Sequence, residues 1–108
     1  MTTVGTLTPS AQTATGPTAY SLKFGTTSKF RAVIFTLRNT AGTGTGDLQI
    51  NCTGNASDWV IVTNGSVPMV VGPTVYDVMY PGCEYRVNAS LCSTCSFVVN
   101  YTVLPEIQ

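Results

Sequence analysis

Near its C-terminus the chain alternates with a period of two over two consecutive stretches. Cys83, Tyr85, Val87, Ala89 and Leu91 fall on one side, and Glu84, Arg86, Asn88 and Ser90 on the other. After Ser93-Thr94 the pattern restarts with Cys95, Phe97, Val99, Tyr101 and Val103 on one side. Side chains alternate across a strand but not along a helix, so this pattern means extended chain with one face on a core. The Ser93-Thr94 interruption reads as a tight turn, which predicts an antiparallel hairpin.

The same β signal runs through most of the chain. Tyr20, Leu22 and Phe24 alternate with Ser21 and Lys23, and Leu48, Ile50 and Cys52 alternate with Gln49 and Asn51. Phe30 to Leu37 is apolar on both faces, and Trp59 to Val62 is a short apolar run. Pro68 to Val71 and Val75 to Tyr80 are separated by the turn signal Gly72-Pro73, and Pro81-Gly82 marks another. No segment carries a helical repeat with caps. The expected fold is all-β, an antiparallel sandwich or jelly roll of about seven to eight strands. Residues 1–18, rich in Thr, Ala, Ser and Pro around isolated Val4 and Leu7, read as an extended N-terminal arm or an edge strand and not a core element, and 19–108 as the domain. The stretch Ala41-Gly42-Thr43-Gly44-Thr45-Gly46 reads as a flexible loop. It lacks the lysine and following helix of a phosphate-binding loop.

A chain of 108 residues is one domain with a modest core. It is 44% hydrophobic but only 9% charged, with zero net charge. Such a surface is either covered by neighbours or solvated by Ser, Thr and Asn. Five basic residues, Lys23, Lys29, Arg31, Arg38 and Arg86, do not make the patch a nucleic-acid partner needs. No apolar stretch is long enough to span a bilayer, so no membrane partner is expected. Met1–Gly5 has neither the basic nor the apolar part of a leader.

Catalytic chemistry is poorly supplied. There is no histidine, and Asp47, Asp58, Asp77, Glu84 and Glu106 are scattered singly, so no base, nucleophile and orienting group can be assembled. No enzyme activity, cofactor or metal is expected. Cys92-Ser93-Thr94-Cys95 has the spacing shared by zinc and redox motifs. Zinc would need Cys52 and Cys83 as further ligands at irregular spacing. The alternatives are free thiols on core faces, where Cys52, Cys83 and Cys95 are expected, or disulfides among the four cysteines. Asn51, Asn55, Asn64, Asn88 and Asn100 each open an N-x-Ser/Thr sequence. Asn51, Asn88 and Asn100 alternate onto outward faces, as glycan acceptors must, but a polar strand face would look similar.

The segment from Gly46 to Thr102 resembles a small β-sandwich domain of tailed-phage structural proteins. The resemblance lies in Leu48-Gln49-Ile50-Asn51-Cys52, then Asn55-Ala56-Ser57-Asp58-Trp59-Val60, then Tyr80-Pro81-Gly82-Cys83-Glu84-Tyr85-Arg86-Val87, and finally Cys95-Ser96-Phe97-Val98-Val99-Asn100-Tyr101-Thr102. It covers about half the chain and specifies no active site. It implies a bacteriophage virion protein of the capsid decoration (cement) or head-fibre type, a homotrimer on the capsid surface bound to the major capsid protein. On that reading Val4, Leu7, Phe30, Val33, Phe35 and Leu37 are interface residues, with the arm reaching onto a neighbour. The alternative is a carbohydrate-binding or adhesive module, with Trp59, Tyr76, Tyr80 or Tyr85 as sugar-stacking platforms.

Overall fold

The structure, a computed structural model, describes residues 3–23, 32–69, 72–78 and 83–104. Among the described residues seven strands, all antiparallel, form one open sheet: β1 (Thr3–Thr6), β2 (Gly16–Pro17), β3 (Leu22–Lys23), β4 (Ala32–Asn51), β5 (Val60–Met69), β6 (Gly72–Val78) and β7 (Glu84–Leu104). The all-β, antiparallel expectation holds, but the expected sandwich or jelly roll is not confirmed, since the strands make one open sheet. The described residues contain no helix, and so none long and apolar enough to cross a membrane.

Two very long strands organise the sheet. β4 and β7 pair over their whole length, from Ala32 opposite Leu104 to Asn51 opposite Glu84. This corrects the hairpin expected at Ser93-Thr94. The two alternating stretches are one strand, and both pair with β4 instead of with each other. What interrupts the alternation is a bulge: Thr43 faces Ser93 and Ala41 faces Ser96, with Thr94 at φ 53°. A bulge inserts unpaired residues and bends the strand without ending it, which a single sequence does not distinguish from a turn. The glycine-rich stretch on β4 is the partner of that bulge and is strand, not flexible loop. Gly42 has φ +60°, and a Cβ there would collide with the backbone of Ser93 and Thr94, so no other residue fits. Buried Asn39 completes the irregular ladder, accepting from Ser96 N at 3.1 Å and donating to Gly42 O at 3.2 Å.

β5 and β6 lie end to end along the other side of β4, opposite Gly44–Ile50 and Val33–Asn39 respectively. The N-terminal stretch lies along the outer side of β7. β1 pairs with Asn100–Val103, Gln12 with Phe97, β2 with Asn88 and Ala89, and β3 with Glu84 and Tyr85. Residues 3–18 are therefore an edge of this sheet, and Leu7 is fully buried. Of the two readings of this stretch, the edge strand holds and the arm reaching onto a neighbour does not, since Thr and Pro suit an edge as well as a linker. Its polar side chains bond to the sheet: Val99 N donates to Thr8 Oγ1 at 3.0 Å, and Thr6 Oγ1 donates to Val99 O at 3.0 Å.

The core forms by bending this one sheet. On β4 the buried positions are Val33, Phe35, Leu37 and Asn39 before the irregular region, and Gly46, Asp47, Leu48 and Asn51 after it, so the core face passes from odd positions to Gly46 and Leu48. On β7 they are Tyr85, Val87 and Ala89, then Cys95, Phe97 and Val99. Leu91, expected on the core face, sits at the bulge and is exposed. The two ends of the sheet face one another, so Phe35 from one end meets Tyr85 from the other with ring centroids 5.4 Å apart. Tyr76 Oη donates to Gly46 O at 2.8 Å across the same bend, and a Cβ on Gly46 would come within 3.0 Å of Leu37 Cδ1.

Both cysteine pairs are disulfides. Cys52–Cys83 ties the end of β4 to the start of β7 (Cα–Cα 4.3 Å), and Cys92–Cys95 spans the bulge (5.3 Å). No free cysteine remains, which removes the free-thiol and zinc readings. Cys83 and Cys95 are buried as expected, whereas Cys52 is exposed.

Candidate functional site

The residues expected to face a partner are mostly core. Leu7, Val33, Phe35 and Leu37 have no exposed surface. The Phe30 to Leu37 run looked apolar on both faces, but its bulky residues on one face fill the bend, leaving Ile34 and Thr36 half-buried outside. Val4 is 70% exposed and keeps its expected role open. Phe30 lies outside the described residues.

Apolar surface is instead concentrated at the start of β5. Val60 and Ile61 are 57% and 50% exposed, next to half-buried Trp59. Consecutive strand residues point to opposite faces, so both faces of the strand are apolar here. On its far side from β4, β5 has no strand partner among the described residues. Beyond Ile61 the edge is blunted, because Asp47 faces Ser66 while Gln49 faces Ile61, which leaves a bulge, and Pro68 follows. Contact through this edge is therefore confined to its first residues.

The corner is held by side-chain contacts. The Arg86 guanidinium lies 4.1 Å from the Trp59 ring centroid, and Arg86 Nε donates to Gln49 Oε1 at 2.7 Å. Burial lowers the Arg86 pKa, partly offset by the Glu84 carboxylate. The loop from β4 to β5 closes on buried Asn51, whose Oδ1 accepts from Thr53 N and Gly54 N at 3.1 and 3.0 Å and whose Nδ2 donates to Asn55 O at 2.6 Å. Thr53 Oγ1 donates to Asp58 Oδ2 at 2.7 Å. Asn51 is thus structural, which corrects its placement on an outward face.

The groups that could bind sugar or do chemistry are not brought together. Tyr85 and Tyr76 are buried, Tyr80 lies outside the described residues, and Trp59 carries Arg86 on its ring. No coplanar aromatic platform forms among the described residues. Asp47 is buried and accepts from Ser66 Oγ at 2.6 Å. Burial, and secondarily Asp47, raise the Tyr76 phenol far above its ordinary range. Glu84 accepts from Ser21 Oγ. No group of three or more potential metal ligands occurs among the described residues. A depression of about 270 Å³ at the bulge is lined by Thr43, Gly44, Leu91, Cys92 and Ser93. Another of about 220 Å³ lies against Thr8, Pro9, Gln12, Pro17 and Ala19. Neither is lined by an ionisable side chain.

Trp59, Val60 and Ile61 were not on the expected interface. A signal was present, since a continuous apolar run on a strand must turn one member outward unless both faces are covered. No family model, curated protein or solved structure matches the chain.

Proposed function

We propose that this chain is a virion structural protein, a capsid decoration protein that acts by contact and not by chemistry. The observation that carries the reading is the Trp59-Val60-Ile61 patch on the open edge of β5, in a protein with little charge to keep it solvated. Fully burying an exposed Val or Ile contributes about 1.5–3 kcal/mol, and Val60 and Ile61, already about half covered, would contribute roughly half of that each. A single patch of this size holds a neighbour weakly, and repetition around a symmetric shell makes it strong. The proposed partners are sister subunits in a trimer and the major capsid protein. The reaching element is the β5 corner in place of the N-terminal arm, which is occupied in its own sheet.

Light scattering of the purified chain tests the self-association. A trimer is expected, with Ile61→Asp giving a folded monomer. Sedimentation with undecorated shells of the encoding virus tests the capsid contact, and the wild-type chain is expected in the pellet. A chain that stays monomeric at millimolar concentration and is left in the supernatant overturns the proposal.

A further inference from the structure

Five of the six asparagines open an N-x-Ser/Thr sequence, Asn39 being the exception. With Ser and Thr at roughly a quarter of the chain, chance would supply about one or two. A polar strand face accounts for Asn followed by Ser or Thr two positions on, as at Asn88 and Asn100. It does not account for Asn51 and Asn55, at a strand end and in a loop, or for Asn64 in the β5 bulge.

The structure sorts these positions. Asn51 is buried with its amide fully engaged. The Oδ1 of Asn55 accepts from the backbone N and the hydroxyl of Ser57, the third residue of its own sequence. Asn88 is half-buried between Asp47 and Pro17 in register. The Asn64 side chain lies outside the described residues. Asn55 and Asn100 are both exposed with an Nδ2 that makes no hydrogen bond among the described residues, but Asn100 alone also has a free Oδ1 and stands on a strand with Thr102 on the same face.

From the register and the exposure we infer that Asn100 is an N-glycosylation site. The glycan comes from a lipid-linked oligosaccharide. A bond forms between Asn100 Nδ2 and the sugar anomeric carbon, the bond from that carbon to the lipid pyrophosphate breaks, and Nδ2 gives up a proton to the transferase. The surroundings suit a bound sugar. Thr6, Asn100, Thr36 and Val75 lie in one row across the sheet, flanked by Val98 and Thr102 on β7 and by Ile34 and Val4. Val75 is 61% exposed, and its row is about 10 Å wide from Asn100 to Val75 at two strand spacings. A glycan rooted at the centre of this face covers its apolar side chains with the apolar faces of its rings. Two disulfides and no free cysteine fit a chain that folds in an oxidising environment, of which the compartment where such transfer occurs is one. The inference does not rest on the virion reading. If both hold, this face is closed to subunits and the β5 corner is left for contact.

The test is to secrete the full chain from eukaryotic cells behind a cleavable leader, and to treat the disulfide-bonded product with peptide-N-glycosidase in heavy-oxygen water. Peptide mapping is expected to find Asn100 converted to labelled Asp and Asn51 unlabelled. Asn100→Gln and Thr102→Ala are each expected to remove one glycan mass. Secreted, folded protein with Asn100 unlabelled overturns the inference. Should the chain be retained, translation with microsomes gives the same answer on a gel: a mobility shift lost in Asn100→Gln supports it, and a shift unchanged by that variant overturns it.

Discussion

Phe35 and Tyr85 touch although the strand ladder sets them far apart. Phe35 pairs with Tyr101, whereas Tyr85 pairs with Ile50 on the same strand as Phe35. Positions 35 and 50 of an extended strand are roughly 50 Å apart, yet the two rings are 5.4 Å apart between centroids. The sheet has to double back at its bulges to bring them together, so this contact reports the bend itself.

Removing one of these rings is expected to cost more than any surface change. Phe35→Ala or Tyr85→Ala should destabilise the fold by about 3–5 kcal/mol, the range for a fully buried aromatic. Urea unfolding measures it. A loss below 1 kcal/mol for both variants would mean that the two ends of the sheet do not share a core.

The two disulfides are expected to contribute unequally. Cys52–Cys83 closes a sequence separation of 31, and Cys92–Cys95 one of 3. Chain-entropy reasoning gives about 4 kcal/mol for the first and about 2 kcal/mol for the second. Paired Cys→Ser variants, unfolded in denaturant without reductant, test the order. A larger loss from the bulge pair would show that it fixes native geometry beyond restraining the unfolded chain.

Tyr76 links stability to alkaline pH. Its phenol is held protonated in the folded state by burial first and by Asp47 second, and it donates to Gly46 O. The unfolded chain ionises this tyrosine near its ordinary pKa of about 10. The folded state then binds the proton more tightly, so the contribution is fully present below pH 10 and is lost as pH rises above it. Tyr76→Phe should cost about 0.5–1.5 kcal/mol at neutral pH and should flatten the alkaline fall. The difference between absorbance titrations of wild type and Tyr76→Phe should show the Tyr76 phenol ionising only with unfolding. Its free titration near pH 10 would contradict the buried hydrogen bond.

Trp59 is the single tryptophan, so its fluorescence reports the β5 corner without interference. Arg86→Ala should uncover the ring, shift emission to longer wavelength and increase iodide quenching. The stability change should stay within about 1 kcal/mol, the range for an exposed cation–π contact. Unchanged quenching would mean the guanidinium does not shield the ring.

By itself the sequence determined that the chain is β throughout, because period-two alternation from Cys83 to Val103 is incompatible with any helix. It also carried most of the buried set on β7, since alternation assigns faces without knowing the partner. The tertiary structure decided everything that depends on pairing. Ser93-Thr94 reads equally as a turn or a bulge until β4 is laid alongside, and Ala41–Gly46 reads as a loop until it is seen to match that bulge. Leu7, Val33, Phe35 and Leu37 could have faced a partner, and only the bend turned them inward. Val60 and Ile61 became surface because nothing among the described strands covers the edge of β5. The physical reason is common to all of these: alternation is a local property of extended chain, whereas which edge is free and which face is inside depends on residues far apart in sequence.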